Sequence, residues 1–161
     1  MARRSKAREV ALQLLFQKDQ NGVPVPRPAI TRFTRDRLSD AAMEAFALAL
    51  YDGVLANQAA IDELISRTAE KWRLTRMMPV DRNVLRLGTY ELLHSPDGAA
   101  PAVVMDEAIE LSRRFATADS PGFVNGILDK IAQSRPKAGV SPEVPEAPPA
   151  PEPAAPEVSA G

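Results

Sequence analysis

Apolar side chains recur every three or four residues along most of the chain up to about residue 135, which is the spacing of helices that bury one face. This spacing predicts a helix from Ser5 to about Gln20, a second from about Ser39 to Asn57, and a third from Asn57 to Trp72. Ser39 has a side chain suited to capping the start of the second helix. No segment alternates apolar and polar residues as a strand does, so the sequence predicts an all-α fold.

The interval between the first two helices is predicted to be a loop over residues 21–35. The Asn-Gly pair at residues 21–22 is a typical helix end, and the prolines at positions 24, 26 and 28 favour extended backbone before them. In the third helix, Trp72 falls on the same face as three aliphatic residues, Ile61, Leu64 and Ile65.

Three further helices follow. The fourth begins at Pro79, since proline suits the first turn of a helix. Gly88 in its interior is expected to have a packing reason, because glycine there costs about 1 kcal/mol relative to alanine. A helix-breaking segment at residues 94–98 precedes a fifth helix that opens at Pro101. The last begins at Ser120-Pro121, and its 3.6-residue period overrides the hairpin signal of the Asn-Gly pair at residues 125–126.

The composition changes sharply after Arg135. Eight of the 15 prolines lie beyond it, together with one lysine and four glutamates, which give that segment a net charge of -3. Residues 1–135 then carry +2. A segment of Pro, Ala and Glu without aromatic residues cannot bury enough apolar surface to offset its ordering entropy. We therefore predict a folded domain over residues 1–135 and a disordered, solubilising tail over residues 136–161.

The composition leaves few routes to catalysis. With no cysteine and one histidine, the chain lacks thiolate metal sites and pairs of histidine ligands. Acidic residues cluster at Asp106, Glu107 and Glu110, but Glu110 has the helix spacing of an ion pair with Arg113, and no histidine completes a di-iron motif. Neither a nucleophile elbow nor a phosphate-binding glycine loop is present. The sequence predicts a protein that is not an enzyme, with no cofactor and no metal.

The location of the protein can also be predicted. No apolar run approaches the roughly 20 residues of a membrane span. The basic N-terminus lacks the apolar stretch of a secretory signal. Together with the absent cysteines, these features favour a cytoplasmic protein with no membrane partner.

The first eight residues carry four positive charges, at Arg3, Arg4, Lys6 and Arg8. Cations at the start of a helix are unfavourable beside the positive end of its dipole, which suggests an anionic ligand such as phosphate. A basic helix with an apolar face also binds acidic proteins or membrane surfaces. On charge alone, nucleic acid and these alternatives stay open, because no groove-reading motif accompanies the charges.

Three segments resemble one known family, in order and in spacing. They are RRSKAREVALQLLFQKD at residues 3–19, PVDRNVLRLGTYELL at residues 79–93 and VVMDEAIELSRRFATADSPGFVNGILDKIA at residues 103–132. Together they look like the bacterial transcription antitermination factor NusB family, and the resemblance covers about residues 3–133. The second segment and the FVNGILDK ending are the specific parts.

The resemblance implies an all-α NusB-like fold of two packed three-helix bundles with an additional helix. It also implies a transcription antitermination factor that binds boxA-type single-stranded RNA of nascent ribosomal transcripts. Family members do this together with NusE, a ribosomal small-subunit protein, and the pair helps load an antitermination complex on RNA polymerase. A binding role of this kind agrees with the lack of catalytic residues.

By position, the resemblance assigns the main phosphate contacts to Arg3, Arg4, Lys6 and Arg8. Lys6 stands where many relatives carry arginine, which keeps the charge but loses the planar fork of donors.

The resemblance also places Asp119 and Phe123 near the RNA. An aromatic ring there can stack on an unpaired base, although Phe123 equally fits the apolar core and Asp119 a helix cap. Arg82 and Arg86 lie one turn apart and extend the basic surface, unless they form ion pairs with acidic residues. Asp106 stands where relatives commonly have asparagine, so a polar contact there is expected to differ.

Three alternatives remain at this point. The first is a NusB-like RNA-binding module of an RNA cytosine methyltransferase, whose catalytic half this chain lacks. The second is a protein-interaction module that binds NusE or another protein, with solvated arginines. The third is a self-associating helical bundle, a homodimer whose interface would hide the RNA contacts.

Overall fold

A computed structural model describes residues 3–94 and 96–134 of the chain. Within these ranges the chain forms seven α-helices, one 3₁₀ turn and no strand, so the predicted all-α fold is confirmed. The helices are α1 (Arg3–Asn21), α2 (Arg27–Leu38), α3 (Ala41–Ala56), α4 (Gln58–Thr68), α5 (Pro79–His94), α6 (Pro101–Phe115) and α7 (Ser120–Ser134), and the 3₁₀ turn is Leu74–Arg76. The predicted tail at 136–161 lies outside the described residues.

The prediction of a loop over residues 21–35 is wrong, because α2 occupies much of that interval. Its first two residues are Arg27 and Pro28, and a proline in the first turn lacks only an N–H that would have no partner in the helix. Ser39 ends α2 in the left-handed conformation instead of capping α3. The N-cap of α3 is Asp40, whose carboxylate accepts hydrogen bonds from the backbone of Ala42 and Met43 at 2.9 and 3.2 Å.

The third predicted helix is shorter in the structure, since α4 ends at Thr68. Trp72 therefore does not continue the apolar face of Ile61 and Ile65, and its exposed fraction is 59%. The tryptophan lies in the turn between α4 and the 3₁₀ turn. Helices α5, α6 and α7 begin at the predicted residues, and α7 runs uninterrupted through Asn125-Gly126.

The helices pack as two groups of three. Helices α1, α2 and α3 contact one another, and α5, α6 and α7 do the same. Helix α4 is the additional helix and packs on α5 and α7. The predicted architecture of two three-helix bundles with an additional helix is confirmed. One hydrophobic core runs through both, and its largest fully buried side chains include Tyr51, Leu14, Leu85 and Leu128.

Helix α5 joins the two bundles, because it contacts α1, α3, α4, α6 and α7. Two glycines allow its close approach. A Cβ on Gly53 of α3 would lie 2.1 Å from the ring of Tyr90 on α5, and a Cβ on Gly88 of α5 would lie 2.9 Å from Leu128 on α7. The expected packing reason for Gly88 is thus confirmed. No helix of the described ranges is long and apolar enough to cross a membrane.

Candidate nucleic-acid interface

The start of α1 presents three exposed cations, Arg3, Arg4 and Lys6, and each has an acidic neighbour. Arg3 forms an ion pair with Asp40. The Nε atom of Arg4 is 3.8 Å from Asp97, and the Nζ atom of Lys6 is 3.7 Å from Glu9 on the same helix. The three cations are exposed although Asp97 and Glu9 are largely buried. Ion pairs at exposed side chains contribute about 0–1 kcal/mol each, so the cations remain available to a phosphate.

Arg8, the fourth predicted cation, is buried. Its side chain is 2% exposed, and its Nε atom donates to the carboxylate of Glu91 at 2.8 and 3.1 Å. Its Nη2 atom donates to Asp97 at 3.2 Å, and the guanidinium lies 5.4 Å from the ring centre of Phe46. The position of Arg8 does not support a phosphate contact, because the side chain cannot reach solvent in this conformation.

The Arg8 cluster holds more acid than base. Glu91 and Asp97 hydrogen bond to Arg8, and Glu107 lies 3.9 Å from it while accepting a hydrogen bond from Ser5 at 2.6 Å. Burial raises the pKa of Glu91 to about 7. The positive charge of Arg8 lowers this pKa, and the negative charges of Asp97 and Glu107 raise it further. Three carboxylates thus surround the one buried guanidinium of Arg8, and exposed Arg4 also lies 3.8 Å from Asp97.

Arg82 and Arg86 of α5 form ion pairs with acidic residues, one of the two alternatives considered for them. Arg82 donates to Asp19 of α1 from Nε and Nη2 at 2.9 and 2.7 Å. Arg86 makes a two-pronged contact with Asp62 of α4 at 2.8 and 3.0 Å, and its Nη1 lies 3.5 Å from Asp19. Both side chains are largely buried, so neither extends an exposed basic surface.

Asp19 is the meeting point of this second network. Burial opposes its ionisation, but hydrogen bonds from Arg82 and Asn83 and the charges of Arg82 and Arg86 outweigh the burial and lower its pKa. Arg82 also donates to the backbone carbonyls of Leu74 and Met77 at 3.1 and 3.4 Å. It therefore fixes the 3₁₀ turn that follows Trp72, and it is a positioning residue for that segment.

The segment held in this way faces Phe123. The rings of Trp72 and Phe123 meet edge to face, with centres 5.7 Å apart and planes at 77°. Beside them lies a cleft of about 230 Å³, which we call the Trp72 cleft. Its lining includes Met78, which precedes α5, Asp81 in the first turn of α5, and Asp119, which directly precedes α7. The structure thus places Asp119 and Phe123 at one site, with Phe123 half-buried and Asp119 exposed.

Sequence reasoning missed Trp72, Met78 and Asp81 as candidates for this site. The apolar spacing places Trp72 on a helical face, but helix α4 ends at Thr68, four residues before it. Asp81 is 7% exposed, and its Oδ1 atom has no hydrogen-bond partner among the described residues. The sequence does contain one signal for an RNA-binding site here. Trp72 is the single tryptophan of the chain, and it has three cations nearby in the sequence, Lys71, Arg73 and Arg76.

A second cleft of about 340 Å³ opens on the other side of the aromatic pair. Its rim carries Lys71 and Lys130, and its floor includes Gly122 and Gly126 of α7. A Cβ on either glycine would have no neighbour within 4 Å. In contrast to Gly53 and Gly88, these two glycines leave the helix backbone open to the cleft.

An apolar groove of about 400 Å³ lies between α1, α2, α5 and α6. Its walls include Phe16, Phe33, Val80 and Phe115, of which Phe16 and Phe115 are 37% and 39% exposed. The guanidinium of Arg37 covers Phe33 at 4.1 Å from the ring centre. Val80 lines this groove and Asp81 lines the Trp72 cleft, so consecutive residues in the first turn of α5 contribute to the two cavities.

The acidic cluster of α6 contributes ion pairs. Arg113 donates to Glu110 at 2.8 Å, as its spacing predicts, and Arg114 donates to Glu9 of α1 at 3.2 Å. Within the described ranges, no group of three or more His, Asp or Glu side chains has a geometry that could hold a metal ion.

Comparison with known proteins gives one consistent result. The model of the NusB family matches residues 5–133. A transcription antitermination protein NusB from Sorangium cellulosum is 45% identical over 134 residues, which are 83% of this chain and 94% of the relative. A protein of the same name from Streptomyces avermitilis is 44% identical and covers 84% of this chain and 95% of its own.

Solved structures agree. NusB from T. maritima has a TM-score of 0.73 at 39% identity, with 84% of this chain and 93% of that chain covered. A structure of the antitermination factors NusB and NusE in complex with double-stranded RNA has a TM-score of 0.73 at 26% identity, with 83% and 98% covered.

Proposed function

The chain belongs to the NusB family, and from this premise we propose that it is a non-enzymatic transcription antitermination factor. It binds boxA-type single-stranded RNA of nascent ribosomal transcripts in the cytoplasm, together with NusE, and helps load an antitermination complex on RNA polymerase. The names of its relatives and the solved complex of a relative with NusE and RNA support this proposal.

The observation that carries the proposal is the placement of two RNA-compatible surfaces along α5. The start of α1, which carries the exposed cations, is joined to the last turns of α5 by the Arg8–Glu91 pair, and the Trp72 cleft includes Asp81 at the beginning of α5. Ten residues separate Glu91 from Asp81, which corresponds to about 15 Å of helix. Cations to hold phosphates and an aromatic pair to stack bases are the two components of single-strand recognition.

The RNA contacts divide into two classes. Arg3, Arg4 and Lys6 bind phosphates and give affinity with little sequence preference. Asp119 and Phe123 contact a base and give the binding its sequence preference. With one to three further contacts from other cations, such as Arg76 on the lining of the Trp72 cleft, the total of about four to six phosphate contacts corresponds to a salt slope of about -3 to -4, at roughly -0.7 per contact on single strands. Arg8, Arg82 and Arg86 support these surfaces from within the fold.

The decisive experiment is polarisation binding of a boxA-type single-stranded RNA across a range of salt concentrations. Replacing Arg3, Arg4 and Lys6 with alanine should lower the salt slope by about 2, because three phosphate contacts are lost. The matched control replaces three exposed arginines elsewhere, Arg32 and Arg35 of α2 and Arg67 of α4, which removes the same charge from other elements. An equal loss in both variants would show that the affinity comes from net charge and not from the start of α1.

NusE is proposed to cover the apolar groove between α1, α2, α5 and α6. Exposed apolar patches mark protein-binding surfaces, and Phe16 and Phe115 are the exposed rings of this groove. Because the first turn of α5 contributes Val80 to the groove and Asp81 to the Trp72 cleft, a protein bound in the groove would lie near the RNA bound at the cleft. RNA that contacts both proteins at once would then bind more tightly without a change in the fold.

The test of this face replaces Phe16 and Phe115 with serine. RNA affinity in the absence of NusE should stay within twofold, and the gain in affinity upon NusE addition should disappear. If the variant binds RNA less tightly without NusE, the groove contacts RNA directly. A chain that forms dimers through this groove in sedimentation experiments would favour the self-associating alternative.

A further inference from the structure

We propose that the Trp72 cleft holds one unpaired base with an amino group at its Watson–Crick edge, and that Asp81 selects this base. Cytosine fits this description among the pyrimidines, because it has an N4 amino donor where uracil has an O4 acceptor. This inference rests on the proposed RNA-binding function and adds the chemical identity of the base.

The walls of the cleft suit a flat ring. Trp72 is 59% exposed and its ring is nearly perpendicular to that of Phe123, so much of the indole surface remains available for stacking. Met78, which is 57% exposed, adds a polarisable side chain that packs well on aromatic rings. The volume of about 230 Å³ is several times that of a water molecule, roughly 30 Å³.

Asp81 supplies the specific interaction. A buried carboxylate oxygen without a donor is unfavourable, and such an atom in a native fold calls for an explanation. Asp81 lies in the first turn of α5, where the helix dipole stabilises a carboxylate, yet its Oδ1 has no donor among the described residues. Because Asp81 lies on the lining of the cleft, an amino group that enters the cleft would supply the missing donor.

The other polar groups of the cleft agree with a donor on the base. Asp119 is a second carboxylate on the lining and is exposed, so it also accepts hydrogen bonds and cannot donate any when ionised. Uracil has one donor at this edge, N3–H, which lies between the acceptors O4 and O2, so a carboxylate that accepts from N3–H is also placed against one of these oxygens. Arg76 on the same lining provides a cation for the adjacent phosphate.

The experiment compares single-stranded 12-mers of cytidine and of uridine, titrated into the full-length protein. Trp72 is the single tryptophan of the chain, so its fluorescence reports on this cleft while polarisation reports on total binding. We expect the cytidine 12-mer to bind about tenfold more tightly and to quench Trp72. Asp81→Asn offers an amide in place of two acceptors, and the preference should fall to within twofold.

Asp129→Asn is the matched control, because it removes one exposed carboxylate from α7 outside both clefts. It should change the affinity for both 12-mers equally and keep the tenfold preference. The proposal is overturned if the two RNAs bind equally, if Trp72 fluorescence does not respond, or if Asp81→Asn and Asp129→Asn behave alike. Loss of NusE binding in Asp81→Asn with the base preference intact would also overturn it and assign Asp81 to the protein partner. A chain that binds neither 12-mer nor a boxA-type RNA contradicts the proposed function itself.

Discussion

The start of α1 and the Trp72 cleft contrast in where their chemistry comes from. The cations of α1 are consecutive or nearly so in the sequence, and the structure surrounds them with acids from four other segments, at Asp40, Glu91, Asp97 and Glu107. The cleft combines Trp72, Asp81 and Phe123, which are far apart in the sequence and carry little net charge. The cations of α1, which are evident in the sequence, are thus partly neutralised by acidic residues. The residues of the Trp72 cleft show no pattern in the sequence, and yet they form a defined site.

The contrast teaches that exposure, more than charge, separates binding residues from structural ones. Arg3 and Arg8 have the same side chain five residues apart, and their exposed fractions are 72% and 2%. The first is available to a ligand. The second stabilises the contact between α1 and α5.

The strongest test of this distinction is Arg8→Met. Glu91 and Asp97 would lose their arginine partner inside the fold, and removing one member of a buried pair costs about 3–5 kcal/mol. Urea unfolding should show a loss of this size in the free energy of unfolding. Arg4→Ala is the control, since exposed residues of this kind change stability by about 0.5 kcal/mol or less. Equal effects of the two variants would contradict the distinction between buried and exposed cations.

A pH series tests the excess of acid around Arg8. Folding raises the pKa of Glu91 from 4.5 to about 7, so the folded state binds more protons than the unfolded state between these values. The stabilising contribution of protonated Glu91 is therefore complete below pH 4.5 and is lost as the pH rises to about 7, to an extent on the order of 3 kcal/mol.

Glu91→Gln isolates this effect, because glutamine resembles the protonated side chain at every pH. The difference in unfolding free energy between the natural chain and the variant should change between pH 4.5 and 7 and stay constant above. A difference that is flat over this range would show that Arg8 compensates Glu91 fully.

The smallest expected effect concerns the ion pair between exposed Arg3 and Asp40. Asp40→Asn removes the negative charge beside Arg3 and keeps an oxygen that accepts the backbone hydrogen bonds of Ala42 and Met43. Arg3 then has less competition for phosphate, and RNA affinity should rise two- to threefold at low salt and not at all at high salt. Glu63→Gln, an exposed change of equal charge on α4, should have a smaller effect. A rise that persists at high salt would point to a change in shape instead.

The sequence predicts the helices well where the apolar period is long and uninterrupted, as in α5, α6 and α7. It fails for α2, because three prolines within five residues favour extended backbone, whereas Pro28 lies in the first turn of this helix, where proline is tolerated. The α4 boundary is also missed, since no glycine or proline stands between Thr68 and Trp72 to signal the end of the helix.

Only part of the site can be predicted from the sequence, because contacts between residues far apart in the chain leave no local pattern. The resemblance indicates Asp119 and Phe123, and the charge run indicates Arg3, Arg4 and Lys6. The burial of Arg8 depends on acids 83 and 89 residues away, at Glu91 and Asp97, and no local pattern reveals such partners. Likewise, the sequence shows Asp81 only as an acidic residue in the first turn of a helix, and the fold places it on the same cleft as Phe123.

The central position of α5 has a consequence for how the molecule opens. Tyr90 fits against Gly53 in one bundle and Leu128 fits against Gly88 in the other, so separating the bundles would expose apolar surface on both at once. Neither half has a complete core without this helix. The backbone amides of α5 should therefore exchange their hydrogens only through global unfolding, as a single cooperative unit, and both proposed RNA surfaces should disappear together in that event.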